Sequence, residues 1–216
     1  VSEAKIRVAL VDDQPLFSAG LKMILRSQPD LDLVGEATDG EQAVALAADV
    51  GPDVMLMDIR MPVMDGITAT RRITDGPGRT KVIVLTTIQH DEAVVRAIQA
   101  GAGGFLTKDA TPEFLLAAIR TVHSGHAVMA PSATNELLRD YTTPSAANSS
   151  VLEPLSARER DVFMLAAKGL ANGEIAASLV LSDATVKTHI GSILSKLTLK
   201  NRIQLVAFAY QNRLLD

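Results

Sequence analysis

Asp53-Val-Met-Leu-Met-Asp58-Ile-Arg-Met-Pro62 runs four consecutive apolar residues into a carboxylate and closes on a proline. A short run that is apolar on both alternating faces suits a strand covered on both sides, as in a parallel sheet. Outward from it, similar runs recur from Ile6 to Val11, Leu31 to Ala37, Val82 to Thr86 and Gly104 to Thr107, so Val54 to Met57 is the third of five. Helical patterns fill the gaps. Pro15 suits a first helical turn; Val94, Ala97, Ile98 and Gly101 mark one apolar face, and Phe114, Leu115, Ala118, Ile119 and Val122 another. Five strands alternating with helices predict an α/β domain with a doubly wound, five-stranded parallel sheet.

Four of the five strands end in polar residues that stand out: Asp12 and Asp13 after the first, Asp58 after the third, Thr86 and Thr87 after the fourth, Lys108 after the fifth. Open α/β sheets bind ligands outside the carboxyl ends of their strands. An isolated Asp there is most often a cap or turn residue, but this ensemble at four strand ends is hard to explain as caps. Three converging carboxylates repel one another unless a cation sits among them, and oxygen donors of this kind suit Mg²⁺. A Lys and a Thr hydroxyl beside them can hold phosphoryl oxygens.

The remainder of the chain is different in kind. Its 216 residues allow two compact units, and 47% hydrophobic residues suffice for their cores. Residues 126–152 read as a linker, rich in Thr, Ser, Ala and Asn from Tyr141 onward, with a short helix expected around 132–139. Beyond Pro154 every periodic segment is helical. Ser156-Ala-Arg-Glu159 is a capping box; further helices are expected from Asn172, Ser182 and Asn201, giving a small four-helix domain. The second and third of these, joined by a short turn near Leu181, have the spacing of a helix-turn-helix. The absence of cysteine excludes disulfides and thiolate metal sites. With no signal-peptide pattern and no long apolar run, a cytoplasmic protein with no membrane partner is expected. The net charge of −4 divides unevenly: residues 1–150 carry 13 basic and 19 acidic side chains, residues 151–216 carry 8 and 6. The acidic part suits a cation site and the mildly basic part suits nucleic acid.

Val11-Asp12-Asp13, Asp53 to Pro62 with Asp65-Gly66, Leu85-Thr86-Thr87, and Gly101-Ala102 leading to Phe105-Leu-Thr-Lys108 together resemble the flavodoxin-like receiver domain of two-component response regulators. That resemblance implies that Asp58 accepts a phosphoryl group from a sensor histidine kinase. It also implies that Asp13, Asp58 and the Arg60 carbonyl ligate Mg²⁺, with Asp12 acting through water. Lys108 and Thr86 would contact the phosphoryl group, and Phe105 stands at the aromatic switch position. Leu155-Ser-Ala-Arg-Glu-Arg160, Gly169-Leu170-Ala-Asn172-Gly-Glu174-Ile175-Ala176 and Ser182-Asp-Ala-Thr185-Val186-Lys187-Thr188-His189-Ile190 resemble the LuxR-type DNA-binding domain. The combination is that of the NarL/FixJ subfamily of transcription regulators, with a receiver over 1–125 and a DNA-binding domain over 153–216.

In that family the third of these helices enters the major groove of double-stranded operator DNA. Lys187, Thr188 and Gly191 fall on the face opposite Val186 and Ile190 and are expected nearest the bases. Thr185, Lys196, Lys200 and Arg202 are expected at phosphates. A homodimer on two half-sites is expected, at least when phosphorylated or DNA-bound. Gly191 offers no side chain to read a base, and Thr198 stands where relatives commonly have a helix-ending Gly, so a looser turn is expected before Asn201. His123 and His126 are spaced for a metal but lack a third ligand. The alternatives are a phosphorylation-independent transcription factor, a protein-interaction regulator, or an aspartate-nucleophile phosphohydrolase. The last needs Asp-x-Asp after the first strand, where this chain has Asp12-Asp13-Gln14-Pro15, so no enzyme is expected.

Overall fold

The computed structural model describes residues 4–87, 91–129, 149–212 and 214–215. The chain divides into two compact units, residues 1–134 and 135–216. The helix expected around 132–139 lies outside the described residues.

In the first unit β1 (Ile6–Val11), α1 (Pro15–Arg26), β2 (Leu31–Ala37), α2 (Gly40–Val50), β3 (Val54–Asp58), α3 (Gly66–Asp75), β4 (Lys81–Thr86), α4 (Asp91–Ala100), β5 (Gly104–Thr107) and α5 (Pro112–His123) alternate as expected. All paired strands are parallel, in the order β2-β1-β3-β4-β5-β6. The edge strand β6 (Val128–Met129) adds to the five predicted; its two residues, which pair with Gly104 and Phe105, are too few to show any periodicity in the sequence. All five residues of β3 are buried, which is why that run carries no polar residue before its end. Val8, Leu10, Leu56, Ile83, Leu106 and Ile119 form the centre of the core on one sheet face. Strand order reverses at β1 and β3, so a crevice opens where Asp12, Asp13 and Asp58 end their strands.

Local chemistry fixes the helix starts. Pro15 occupies the first turn of α1, and the Asp39, Asp65 and Thr111 side chains accept backbone N–H bonds at the starts of α2, α3 and α5.

The second unit contains a 3-10 turn (Ser149–Leu152) and α6 (Ala157–Ala167), α7 (Asn172–Leu179), α8 (Asp183–Lys196) and α9 (Arg202–Gln211). Phe163, Val162, Ile175, Val186, Ile193 and Leu205 are buried at its centre. Phe163 and Phe208 meet edge to face, their ring centroids 6.2 Å apart. The capping box holds: the Ser156 N–H donates to Glu159 Oε2 at 2.7 Å, while the Glu159 N–H donates to Ser156 Oγ. Glu159 also reaches α8, accepting from Ser192 Oγ at 2.6 Å and from Lys196 Nζ at 2.7 Å. One carboxylate thus closes the start of α6 and fastens two successive turns of α8 to it.

The turn after α8 is closed rather than loose. Leu199 N–H donates to the Leu194 carbonyl at 2.8 Å and Thr198 N–H to that of Ser195 at 3.2 Å, the paired bonds of a Schellman termination. Thr198 takes the left-handed conformation (φ 54°) that this termination needs. Its β-branched side chain makes that conformation costly, so the missing Gly is felt as strain and not as a slack turn.

Two outcomes follow from these contacts. Thr198→Gly should stabilise the helical unit by about 1 kcal/mol in denaturant unfolding; unchanged or lower stability would contradict the strain. The Lys196 and Ser192 bonds, with the Ser156 N–H, hold the Glu159 carboxyl far below its ordinary 4.5. Because the folded-state value is the depressed one, its contribution is complete above about pH 4.5 and is lost as the pH falls from there. In hydrogen exchange on the whole chain, α8 amides should therefore lose protection on acidification, and Glu159→Gln should flatten that dependence and lower protection at neutral pH. Identical profiles for the two proteins would remove Glu159 from this role.

Candidate functional site: an acidic crevice and an exposed helix face

The crevice is assembled by strand register. Asp58 is the last residue of β3 and lies opposite Leu85, which places Thr86 one position further along β4; Thr86 in turn faces Thr107 on β5, immediately before Lys108. The Lys108 N–H donates to the Thr86 carbonyl at 2.7 Å, fixing the chain as it leaves the sheet. Asp12, Asp58 and Thr86 are buried, while Asp13 is exposed at the mouth. Phe105 is buried within β5, so the sequence-assigned switch ring faces the interior in this structure.

The Lys108 side chain is itself only 6% exposed and its ammonium enters between the acids, 2.7 Å from Asp12 Oδ2 and 3.0 Å from Asp58 Oδ2. The remaining oxygens take backbone donors: Asp12 Oδ1 accepts from Gln14 N–H and Asp58 Oδ1 from Ile59 N–H, both at 2.8 Å. Burial pushes the Asp58 carboxyl above its usual range and Asp12 adds to this, against the opposing pull of Lys108. Asp12, Asp13 and Asp58 each offer an oxygen within 4.8 Å of the others, a cluster able to hold a metal. One ammonium against three acids leaves a local negative excess, and hard carboxylate donors fit a divalent cation such as Mg²⁺.

The loop beyond Asp58 is tightly tied. Gly66 N–H donates to the Ile59 carbonyl at 2.9 Å, and a Cβ at Gly66 would stand 1.8 Å from the Asp58 carbonyl oxygen, so only glycine fits there. Asp65 Oδ1 accepts from Ile67 and Thr68 N–H, which anchors the start of α3. The exposed Arg60 lies in this loop; Ile59, Arg60, Met61, Asp65, Ile67 and Arg96 line a shallow cavity beside it.

In the helical unit, Lys187, Thr188 and Gly191 share the exposed face of α8, opposite the buried Val186 and half-buried Ile190. Among the described residues, nothing beyond the adjoining residues and backbone of α8 comes within 4 Å of where a Gly191 Cβ would stand, so no other element covers this stretch of helix surface there. The Thr188 hydroxyl donates to the Ala184 carbonyl at 3.0 Å, and Thr185 Oγ1 lies 2.8 Å from Ser182 Oγ. Lys200 is exposed.

Two of the expected phosphate contacts have partners inside the protein. Lys196 is held by Glu159. Arg202 turns inward, donating to Asn172 Oδ1 at 2.8 Å and to the Leu170 carbonyl, and burial lowers its pKa. It ties the start of α9 to that of α7, which is a structural task. His189 is half-buried, as a packing residue should be. His126 Nδ1 lies 3.0 Å from Ser124 Oγ, and the His123 carbonyl accepts from Lys81 Nζ at 2.8 Å.

Comparison with known proteins supplies the context for both sites. Residues 8–120 match the response regulator receiver domain, and residues 153–209 match the luxR family of bacterial regulatory proteins. The transcriptional regulatory protein YxjL of Bacillus subtilis is 40% identical, with 98% of each chain covered. The nitrate/nitrite response regulator protein NarL of Escherichia coli K12 is 34% identical, with 96% of each covered. Among solved structures, the response regulator ChrA of a heme-sensing two-component system is 39% identical, covering 98% of this chain and 100% of its own, with a TM-score of 0.55. A receiver with an acidic crevice, joined in one chain to a LuxR-type helical unit and similar over nearly its whole length to transcriptional response regulators, belongs to the NarL/LuxR family of two-component response regulators.

Proposed function

We propose that Asp58 accepts a phosphoryl group from a sensor histidine kinase and that this modification controls operator binding by the helical unit. The observation that carries the reading is the buried trio at the sheet edge: Asp58 with a lysine ammonium 3.0 Å away and a second carboxylate beside it. In the transfer an Asp58 carboxylate oxygen forms a bond to phosphorus. The donor's P–N bond, or P–O bond for a small acyl phosphate, breaks, and the electron pair departs with the leaving group. Asp13, Asp58 and the Arg60 carbonyl would hold Mg²⁺, with Asp12 acting through water. The bound cation would neutralise charge on the phosphoryl oxygens.

The acyl phosphate adds roughly −1.5 to −2 charges to a crevice already rich in acids, and that charge must find donors. Lys108 is in place, and the Thr86 hydroxyl is the next donor along the edge. Their adjustment, with that of the buried Phe105, would move the face formed by α4, β5 and α5 and so turn a local charge into a new protein surface. The receiver spans 1–125, the linker 126–152 and the DNA-binding domain 153–216.

On DNA, the exposed Lys187, Thr188 and Gly191 face of α8 would lie nearest the bases, with Thr185, Lys196 and Lys200 at phosphates. Lys196 is 41% exposed in its side chain, so it can serve a phosphate while bound to Glu159, whereas Arg202 has its donors engaged within the fold. The net charge of the unit is small, and binding as a homodimer on two half-sites would double the contacts. The reading includes a cytoplasmic protein without enzymatic turnover of a substrate.

Asp58→Asn should abolish labelling by acetyl phosphate in Mg²⁺, followed by intact mass; undiminished labelling would place the acceptor elsewhere. Lys187→Ala should weaken binding to operator DNA by about 1–3 kcal/mol in anisotropy titrations, with a shallower salt dependence. An unchanged affinity across the salt series would remove α8 from the interface.

A further inference from the structure

The contacts that fix the Lys108 head are incomplete. Its ammonium is close to Asp12 Oδ2 and Asp58 Oδ2, yet none of these three buried atoms has a partner with hydrogen-bond geometry. Coulombic attraction at these distances is strong but scarcely directional, so the two acids draw the head inward without fixing where it points. On a further side stands an aromatic face: the Phe17 ring centroid lies 4.6 Å from Lys108 Nζ. Phe17 belongs to α1 and is partly buried, packed against the core. Phe17, Leu21, Leu85, Thr107 and Leu115 border an open cavity of about 650 Å³ that also touches Lys108. A lysine head released by the ring would have room to swing into it.

We propose that Phe17 is a positioning residue for phosphoryl transfer: its ring face holds the Lys108 ammonium in the crevice by a cation–π contact. The negative face of the ring attracts the ammonium, and burial strengthens that attraction. The choice of an aromatic wall over a third acceptor has a chemical consequence. A carbonyl or carboxylate there would bind a Lys108 proton that the arriving phosphoryl oxygens would have to win away. A ring face steadies the charge while leaving its N–H donors available. The lysine can then turn toward the phosphoryl group with the ring still beside its charge, exchanging carboxylate contacts for phosphoryl ones. The inference rests on the reading of Lys108 as a phosphoryl contact.

The test uses the full chain and acetyl phosphate in Mg²⁺, with the rate of Asp58 labelling and the lifetime of the product as readouts. Phe17→Leu keeps apolar bulk but removes the π face, and should slow labelling by about three- to tenfold. Phe17→Tyr should restore it, and stepwise ring fluorination at position 17, which weakens the quadrupole while nearly preserving shape, should lower the rate in graded steps. A purely space-filling role would leave the fluorinated series flat; a flat series, or a Phe17→Leu rate equal to that of the parent, overturns the proposal. A second measurement does not depend on phosphorylation. Side-chain order at the Lys108 methylene next to Nζ, by NMR of the unmodified protein, should fall in Phe17→Leu and recover in Phe17→Tyr. Unchanged order overturns the positioning role, whereas an absence of labelling in the parent protein would strike the acceptor assignment of Asp58 alone.

Discussion

A lysine ammonium buried between two buried carboxylates is the constraint on which the receiver depends. Removing one member of such a set leaves an uncompensated charge in a poorly solvated place, at a typical cost of about 3–5 kcal/mol. Asp12, Asp58 and Lys108 reach one another only because β1, β3 and β5 bring their carboxyl ends to the same edge, and the sheet order puts β1 and β3 side by side where the winding reverses. The Gly66 approach to the Asp58 carbonyl and the Lys108 N–H bond to Thr86 then hold the ends of β3, β4 and β5 in register. The same arrangement is electrostatically unfinished. Three acids and one lysine leave a negative excess that suits a cation, and in the proposed function an arriving phosphoryl group would give the lysine a new partner.

The helical unit applies a similar device to a different end. Glu159 is nearly buried and spends its two oxygens on α6 and α8 together, so the angle at which α8 presents its bare face is set by a charge-assisted contact as well as by Val186 and Ile193 in the core. Arg202 does the corresponding work between α7 and α9. The outward face of α8, with Lys187, Thr188 and Gly191, carries none of these ties, which leaves it free for an external partner.

Much of this was legible in the sequence, for identifiable reasons. Strands buried on both faces have to be apolar throughout, so β3 could be read from Val54 to Met57, and strand-end polar residues in a parallel sheet converge whatever their separation along the chain. Capping residues such as Ser156 act over three or four positions and announce themselves locally. What escaped the reading depends on direction in space. An Arg at the start of a helix looks the same in sequence whether it faces a phosphate or a carbonyl, and here Arg202 donates to Asn172 Oδ1 and the Leu170 carbonyl. Glu159 was visible as a cap, but its bonds to Ser192 and Lys196 span more than thirty residues and have no local signature. No local pattern marks Phe17, whose place over Lys108 arises only when α1 and the end of β5 come together in the fold. Thr198 was noticed as a departure, but whether it loosened or strained its turn depended on a backbone angle.

If charge added at Asp58 changes what the helical unit does, operator affinity must follow the phosphorylated fraction. The most direct measurement is the affinity of the full chain for operator DNA at one fixed salt concentration, taken before and after phosphodonor and Mg²⁺, with the fraction of phosphorylated Asp58 determined in the same samples. Affinity should rise in step with that fraction and return as the acyl phosphate hydrolyses. Full labelling of Asp58 with an unaltered affinity would contradict that coupling.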